Sequence, residues 1–288
     1  MSVSGEKEQF FKLDFGVEGG FAALDQAPFP AFEPGWVWLV GAGPGAPGLM
    51  TLLGYHAMQK ADAVIYDALV NMDLLDWVRP GAQIEYAGKR GGKPSPQQRD
   101  ISERLIELAK SGKRVLRLKG GDPFMFGRGG EECQTLARAG VPFRIVPGIS
   151  AGVGGLAYAG IAATHRETNH SVIFLTGHDA SGNVPAGVDW QALATASPVI
   201  VMYMAVKNLA HIAGKLLAGG RAPADPVAIV ANATLPQQSV TETTLGAIVA
   251  GFDAAELATP AMVVVGQVLD LRPVLDWYAP ALRENPLG

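Results

Sequence analysis

Short apolar runs, each leading through a turn or glycine-rich loop into a helical pattern, recur along this chain from Trp36 onward. "WVWLV" (Trp36 to Val40) is followed by "TLLGYHAMQKA" (Thr51 to Ala61), whose Leu52, Leu53, Ala57 and Met58 fall on one helical face. "AVIY" (Ala63 to Tyr66) and the alternating "QIEYA" (Gln83 to Ala87) read as the next strands. "PQQRDISERLIELAKSG" predicts a helix with Leu105, Leu108 and Ala109 inward and Gly112 as its stop. "RVLRL" (Arg114 to Leu118), the helical "GEECQTLARAG" and "FRIV" (Phe143 to Val146) continue the series. Strands that alternate with helices form largely parallel sheets with helices on their faces, so the chain is confined to the α/β class.

Beyond Pro147 the strands are "SVIFLT", "VIVMYM", "VAIV" and "AMVVV", with a helix at "KNLAHIAGKLLAGG" and a strand-like "GIAAT" before His165. Two α/β domains follow from this pattern, joined near the glycine-rich "VPGISAGVGG". The expected boundaries are a partly disordered extension over 1–35, an N-terminal domain over 36–148, a C-terminal domain over 149–280 and a tail over 281–288. Phenylalanines of the extension are candidates to dock on the body. A cleft between two such domains is a favoured ligand site.

Composition narrows the function. With 48% hydrophobic and 17% charged residues the chain has the makings of packed cores rather than global disorder. Its net charge of -4 gives no reason to expect nucleic acid. The N-terminus lacks a secretory pattern, and runs such as "PVIVMYMAV" are too short to span a bilayer. A single cysteine, Cys133, fits a reducing compartment. The expectation is a soluble cytoplasmic protein with no membrane or nucleic-acid partner. The five histidines (His56, His165, His170, His178, His211) lack zinc-ligand spacing, so no metal is expected. Charge is uneven: ten Lys or Arg against three acids between Lys89 and Lys119 make that stretch +7 and leave the rest at -11. It reads either as a solvated helix face with edge-strand lysines or as a basic wall for a polyanionic small molecule.

Three loops carry candidate chemistry. "VGAGPGAPG" meets a dinucleotide fingerprint through Gly41, Gly43 and Ala46, with acids following at Asp62 and Asp67. Pro44 and Pro47 each remove a backbone N–H where phosphate cradling needs donors, which argues against an NAD-dependent oxidoreductase. "RLKGGDPFMFGRGGEE" offers Gly120 and Gly121 for close approach and the Asp122 carboxylate for a ligand's amine or hydroxyls. Phe124, Met125 and Phe126 supply an apolar surface there. "VPGISAGVGG" begins a helix of small residues in which Ser150 and Ala151 approach a ligand. A non-catalytic anion-binding protein leaves "GGDPFMF" without a purpose.

These segments, together with "ADAVIYDALV", "GKRGG", "GIAATHR", "TGH" and "TPAMVVVGQV", resemble the ordered motif set of the tetrapyrrole (class III) methyltransferases over about Trp36 to Tyr278. "LRLKGGDPFMFGRGGEE" and "GKRGG" favour the subgroup acting on uroporphyrinogen III over those acting on later precorrin intermediates. The resemblance implies a fold of two α/β domains with a cofactor cleft between them. It implies S-adenosylmethionine as methyl donor, with S-adenosylhomocysteine as its product. The acceptor it implies is a tetrapyrrole, uroporphyrinogen III, methylated at C2 and C7 to give precorrin-2 via precorrin-1. It further implies a homodimer. Carried over by motif, cofactor contacts fall on Pro44, Gly120, Gly121, Asp122, Met125, Ser150, Ala151, Met204 and Ala233. The proton acceptor falls on Asp67 and the proton donor on Lys89, with Arg128 also in the catalytic set. Substrate contacts fall on Lys89, Arg90, Arg128, Glu131 and Arg166. The sequence departs from the family pattern at Ala46, where Asp is common, and at Ala205 and Ala233, where Gly is common. The last two substitutions are harmless where the backbone angles suit a Cβ.

Overall fold

A computed structural model describes residues 28–88, 98–179, 181–254 and 256–278. The first half runs β1 (Val37–Gly41), α1 (Leu52–Lys60), β2 (Ala63–Tyr66), β3 (Gln83–Tyr86), α2 (Gln98–Lys110), β4 (Val115–Lys119), α3 (Gly129–Arg138) and β5 (Phe143–Val146). The second runs α4 (Leu156–Tyr158), β6 (Val172–Thr176), α5 (Trp190–Ala196), β7 (Val199–Tyr203), α6 (Leu209–Ala218), β8 (Pro226–Ala231), β9 (Ser239–Thr244), α7 (Leu245–Val249), β10 (Ala261–Val265) and α8 (Arg272–Leu275). The strands form two five-stranded sheets, ordered β3-β2-β4-β1-β5 and β6-β7-β10-β8-β9.

The first sheet is parallel throughout. Parallel strands covered on both faces read as continuous apolar runs. β1 shows why: Trp38 and Val40 enter one core with Met58 of α1, while Val37 and Leu39 enter another with Leu105 of α2 and Leu136 of α3. Leu105, Leu108 and Ala109 of α2 are buried as the periodicity predicts; on α1, Ala57 and Met58 are buried in the core and Leu53 packs against it half-buried, whereas Leu52 is exposed. Thr51 caps α1 by accepting from the Gly54 amide at 3.1 Å. Phe32 is buried and stacks on Trp38 with centroids 4.5 Å apart.

The second sheet departs from the parallel expectation. β6 and β7 are parallel, but β10 runs antiparallel to both β7 and β8, and β9 antiparallel to β8. β8 and β10 are buried on both faces, so their apolar runs carry no mark of direction. β9 and α5 escape the sequence pattern: "SVTETT" is polar, and α5 has only seven residues. "GIAAT" is not a strand; it is irregular, and an isolated bridge between His165 and Asn169 closes the turn after it.

Candidate functional site

The loops that follow β1, β2, β4 and β5, at the C-terminal edge of the first sheet, carry parts of the candidate site. Such edges are where open α/β sheets place their ligands. Because β10 is antiparallel to both of its neighbours, β7 and β8 run the same way, and Met204 and Ala233 leave the second sheet at one common edge. The two edges are stitched together. The Ala46 amide donates to Thr234 Oγ1 at 2.8 Å, and the rings of Phe126 and Tyr203 lie 4.9 Å apart.

The glycines of the opening loop serve backbone packing. A Cβ at Gly41 would stand 2.5 Å from backbone atoms of Gly121 and Gly148. Gly43 and Gly121 exchange backbone hydrogen bonds at 3.2 and 2.7 Å. A 3-10 turn over Pro47–Leu49 separates this loop from α1, so no helix N-terminus faces it directly. A dinucleotide loop needs that terminus for its pyrophosphate.

Two cavities share Phe124. One, of about 450 Å³, is lined by Asp122, Phe124, Met125, Gly148, Ile149, Ser150 and Val153. The other, of about 550 Å³, is lined by Phe124, Phe126, Arg128, Gly129, Gly130, Glu131 and Met204. Phe124, Phe126, Val153 and Met204 are exposed although large and apolar. Exposed apolar side chains gathered at one mouth mark a binding surface. Asp122 is anchored: Oδ1 accepts from the Phe124 amide at 2.8 Å and Oδ2 from the Gly148 amide at 3.0 Å. A carboxylate so placed retains acceptor capacity for a ligand.

All five described non-glycine residues with positive φ lie in these loops: Phe126 (52°), Arg128 (59°), Met204 (55°), Asn232 (48°) and Thr234 (70°). Strained backbone of this kind gathers at ligand sites. Nothing in the sequence announces it, since none of these residues is glycine. Ala205 has φ -94°, and Ala233 is absent from the positive-φ set, so both accommodate a Cβ.

Asp67 follows β2. Its Oδ1 accepts from the Leu69 amide at 3.1 Å and the Gly120 amide at 3.3 Å, and Oδ2 stands 3.8 Å from Arg117. Behind it lies a buried charge cluster that sequence reading did not single out. Glu132 Oε1 lies 3.2 Å from both Arg117 and Lys119, and all three residues are buried. Burial, then the neighbouring Arg117, lowers the Lys119 ammonium from its ordinary value. Burial pushes the nearby Cys133 thiol up to about 11, which leaves it unreactive.

The basic stretch is corrected in part. Arg99 pairs with Glu103, Arg104 with Glu85 and Glu107, Arg114 with Asp62, and Arg117 and Lys119 with Glu132. Lys113 donates to Gln83. These side chains are engaged within the chain, and β4 is an interior strand, so neither a free basic wall nor edge-strand lysines describes them. Lys89 and Arg90 lie outside the described residues. Arg128 forms a bidentate pair with Glu131 at 2.9 and 2.7 Å, and the guanidinium holds the Glu131 carboxyl below its usual range. Arg166 sits in the exposed turn after His165 and lines neither cavity. Pro44 packs toward Gly154, and the first loop reaches Ala233 through Gly45. Ala151 opens a π-helical turn over Ala151–Gly155, a bulge frequent at functional sites. Among the described residues no group of three His, Cys, Asp or Glu is placed to hold a metal ion. Among them, too, no helix is long and apolar enough to cross a membrane.

Two sheets whose C-terminal edges meet beside cavities of mixed apolar and charged lining define an α/β protein with a candidate ligand site at those edges. The chain belongs to the Tetrapyrrole (Corrin/Porphyrin) Methylases, whose family model matches residues 37–249. It is 64% identical over 251 residues to a uroporphyrinogen-III C-methyltransferase of a Sinorhizobium species, covering 87% of this chain and 90% of that protein. It is 49% identical over 245 residues to siroheme synthase 1 of Yersinia enterocolitica, covering 85% of this chain but only 51% of that longer protein. Among solved structures, uroporphyrin-III C-methyl transferase from Thermus thermophilus complexed with S-adenyl homocysteine superposes with a TM-score of 0.72 at 36% identity, covering 82% of this chain and 99% of that one.

Proposed function

We propose that this protein is an S-adenosylmethionine-dependent methyltransferase that methylates uroporphyrinogen III at C2 and C7, giving precorrin-2 via precorrin-1. The observation that carries the reading is the joining of the two sheet edges around adjacent cavities, one holding Asp122, Met125 and Ser150 and the other holding Arg128, Glu131 and Met204. The smaller cavity fits the donor: it is walled by Phe124, Met125, Ile149 and Val153, and it presents one carboxylate and one hydroxyl for an amine and hydroxyls. Asp122, Met125, Ser150 and Ala151 hold the donor there, with Pro44, Gly120, Gly121, Met204 and Ala233 completing its contacts. S-adenosylmethionine supplies an electrophilic sulfonium methyl, so no covalent enzyme nucleophile is needed.

The chain's own work is to place the acceptor carbon in line with that methyl, an orientation effect. A ring carbon that gains a methyl group leaves its pyrrole cationic, and a proton must depart. Asp67 stabilises that charge and takes the proton. Backbone amides and Arg117 fix the orientation of its carboxylate. Lys89 falls at the family's proton-donor position, and each methyl group gained is balanced by the one proton lost to Asp67. Arg128 and Arg166, with Lys89 and Arg90, receive the acceptor's peripheral carboxylates, Arg being suited to bidentate pairing, while Glu131 contributes to the acceptor site by orienting Arg128. The two halves, 36–148 and 149–280, act as separate α/β domains, and the enzyme works as a cytoplasmic homodimer.

Incubation with uroporphyrinogen III and isotopically labelled S-adenosylmethionine tests the reading, with mass spectrometry counting the methyl groups added. Two are expected. Zero transfer overturns the acceptor, and transfer only to a later precorrin moves the enzyme to another subgroup.

A further inference from the structure

Tyr203 ends β7 one residue before Met204, and no role was expected of it. Its hydroxyl lies 2.6 Å from Ser150 Oγ and accepts from the Gly152 amide at 3.0 Å. Its ring lies 4.9 Å from that of Phe126 and 6.4 Å from that of Phe174. Gly152 is shaped to this contact, because a Cβ there would overlap the phenol oxygen. One side chain of the second sheet thus touches two loops of the first: the loop after β5, which lines the smaller cavity through Ser150, and the loop after β4, which lines the larger through Phe126.

We propose that Tyr203 is a positioning residue that locks the donor-binding turn at Ser150–Gly152 and braces the acceptor rim at Phe126, so that the two cavities keep the alignment methyl transfer requires. This rests on the donor and acceptor assignment above. Burial raises the phenol from its ordinary value, so the hydroxyl stays protonated at neutral pH. Either hydroxyl of the Tyr203–Ser150 pair can donate, and in both cases the bond fixes Ser150 Oγ at the cavity wall while the Gly152 amide fixes the phenol oxygen.

The two halves of the role separate by substitution. Tyr203→Phe keeps the ring and removes both hydrogen bonds. Its Kd for S-adenosylhomocysteine and its KM for S-adenosylmethionine are expected to rise about tenfold, with the acceptor KM and the kcat at saturating donor within about twofold of wild type. Tyr203→Leu also removes the brace on Phe126 and raises the acceptor KM. In a double-mutant cycle, Ser150→Ala and Tyr203→Phe are non-additive, because either substitution breaks the same bond. Calorimetry with S-adenosylhomocysteine, initial-rate kinetics and thermal melts read these effects. Wild type that binds the ligand beside a Tyr203→Phe variant that binds it equally overturns the role of Tyr203 alone. Additive effects in the cycle overturn it as well. Wild type that does not bind the ligand overturns the donor assignment and this inference with it. Should Tyr203→Phe melt early, the same cycle is measured by calorimetry at a temperature where all four proteins are folded: coupling between positions 150 and 203 in donor affinity supports the lock, and additivity overturns it.

Discussion

Gly41 and Asp67 illustrate what a single residue discloses in sequence and what it conceals. The fingerprint spacing of Gly41 and Gly43 was legible at once, and the prolines beside them removed the dinucleotide reading. The reason for Gly41 was not legible, because its constraint comes from Gly121 and Gly148, far away along the chain. Asp67 was placed by motif at the end of β2, whereas its amide partners and Arg117 are matters of three-dimensional contact. Asparagine at 67 preserves an oxygen for the Leu69 and Gly120 amides but carries no charge and takes no proton. Asp67→Asn is therefore expected to lower the single-turnover methyl-transfer rate by about a hundredfold or more while leaving S-adenosylhomocysteine affinity within about twofold. Rapid-quench kinetics beside calorimetry checks both halves of that expectation.

At the level of elements, the first sheet was readable nearly strand by strand, because parallel strands between helices leave apolar runs and clear stops. The second was readable as strands but not as a topology. Its interior strands are apolar on both faces, and direction leaves no trace in such a run. β9 was missed because it reads as an alternation of Ser, Thr and Glu around one Val. Edge strand β3 shows a tie that charge alone did not predict: Glu85 receives Arg104 of α2 through bonds of 2.6 to 3.2 Å. Arg104 holds the Glu85 carboxyl below its usual range. A lowered carboxyl favours the fold only while ionised. Its contribution is present above the ordinary value of 4.5 and is lost as pH falls through the lowered one. Glu85→Gln is expected to cost about 0.5–1 kcal/mol at pH 7, given the partial exposure of the pair, and to flatten the loss of stability below about pH 4.5. Urea unfolding at a series of pH values measures both.

Across the whole molecule, the strands of the first sheet all precede Pro147 and those of the second all follow His170. The change of strand pattern after Pro147 was therefore visible in sequence, while the stitching between edges was not. The bond from the Ala46 amide to Thr234 Oγ1 spans 188 positions and depends on Thr234 holding a φ of 70°. No local pattern predicts a β-branched residue in that conformation. Thr234→Val keeps the shape and removes the acceptor. It is expected to destabilise the protein by about 1 kcal/mol and to weaken S-adenosylhomocysteine binding, whereas Thr234→Ser retains both. Chemical denaturation with and without the ligand separates the two effects.

The same bond explains why the first loop tolerates its departure from the family pattern. What Thr234 grips at position 46 is the peptide N–H, and the methyl group of Ala46 takes no part in the bond. Every amino acid but proline supplies that N–H. The join between the edges is thus indifferent to the identity of its own residue on one side and exacting on the other. Substitutions can accumulate at 46 without loosening the join, while position 234 can drift only among residues that keep a hydroxyl there.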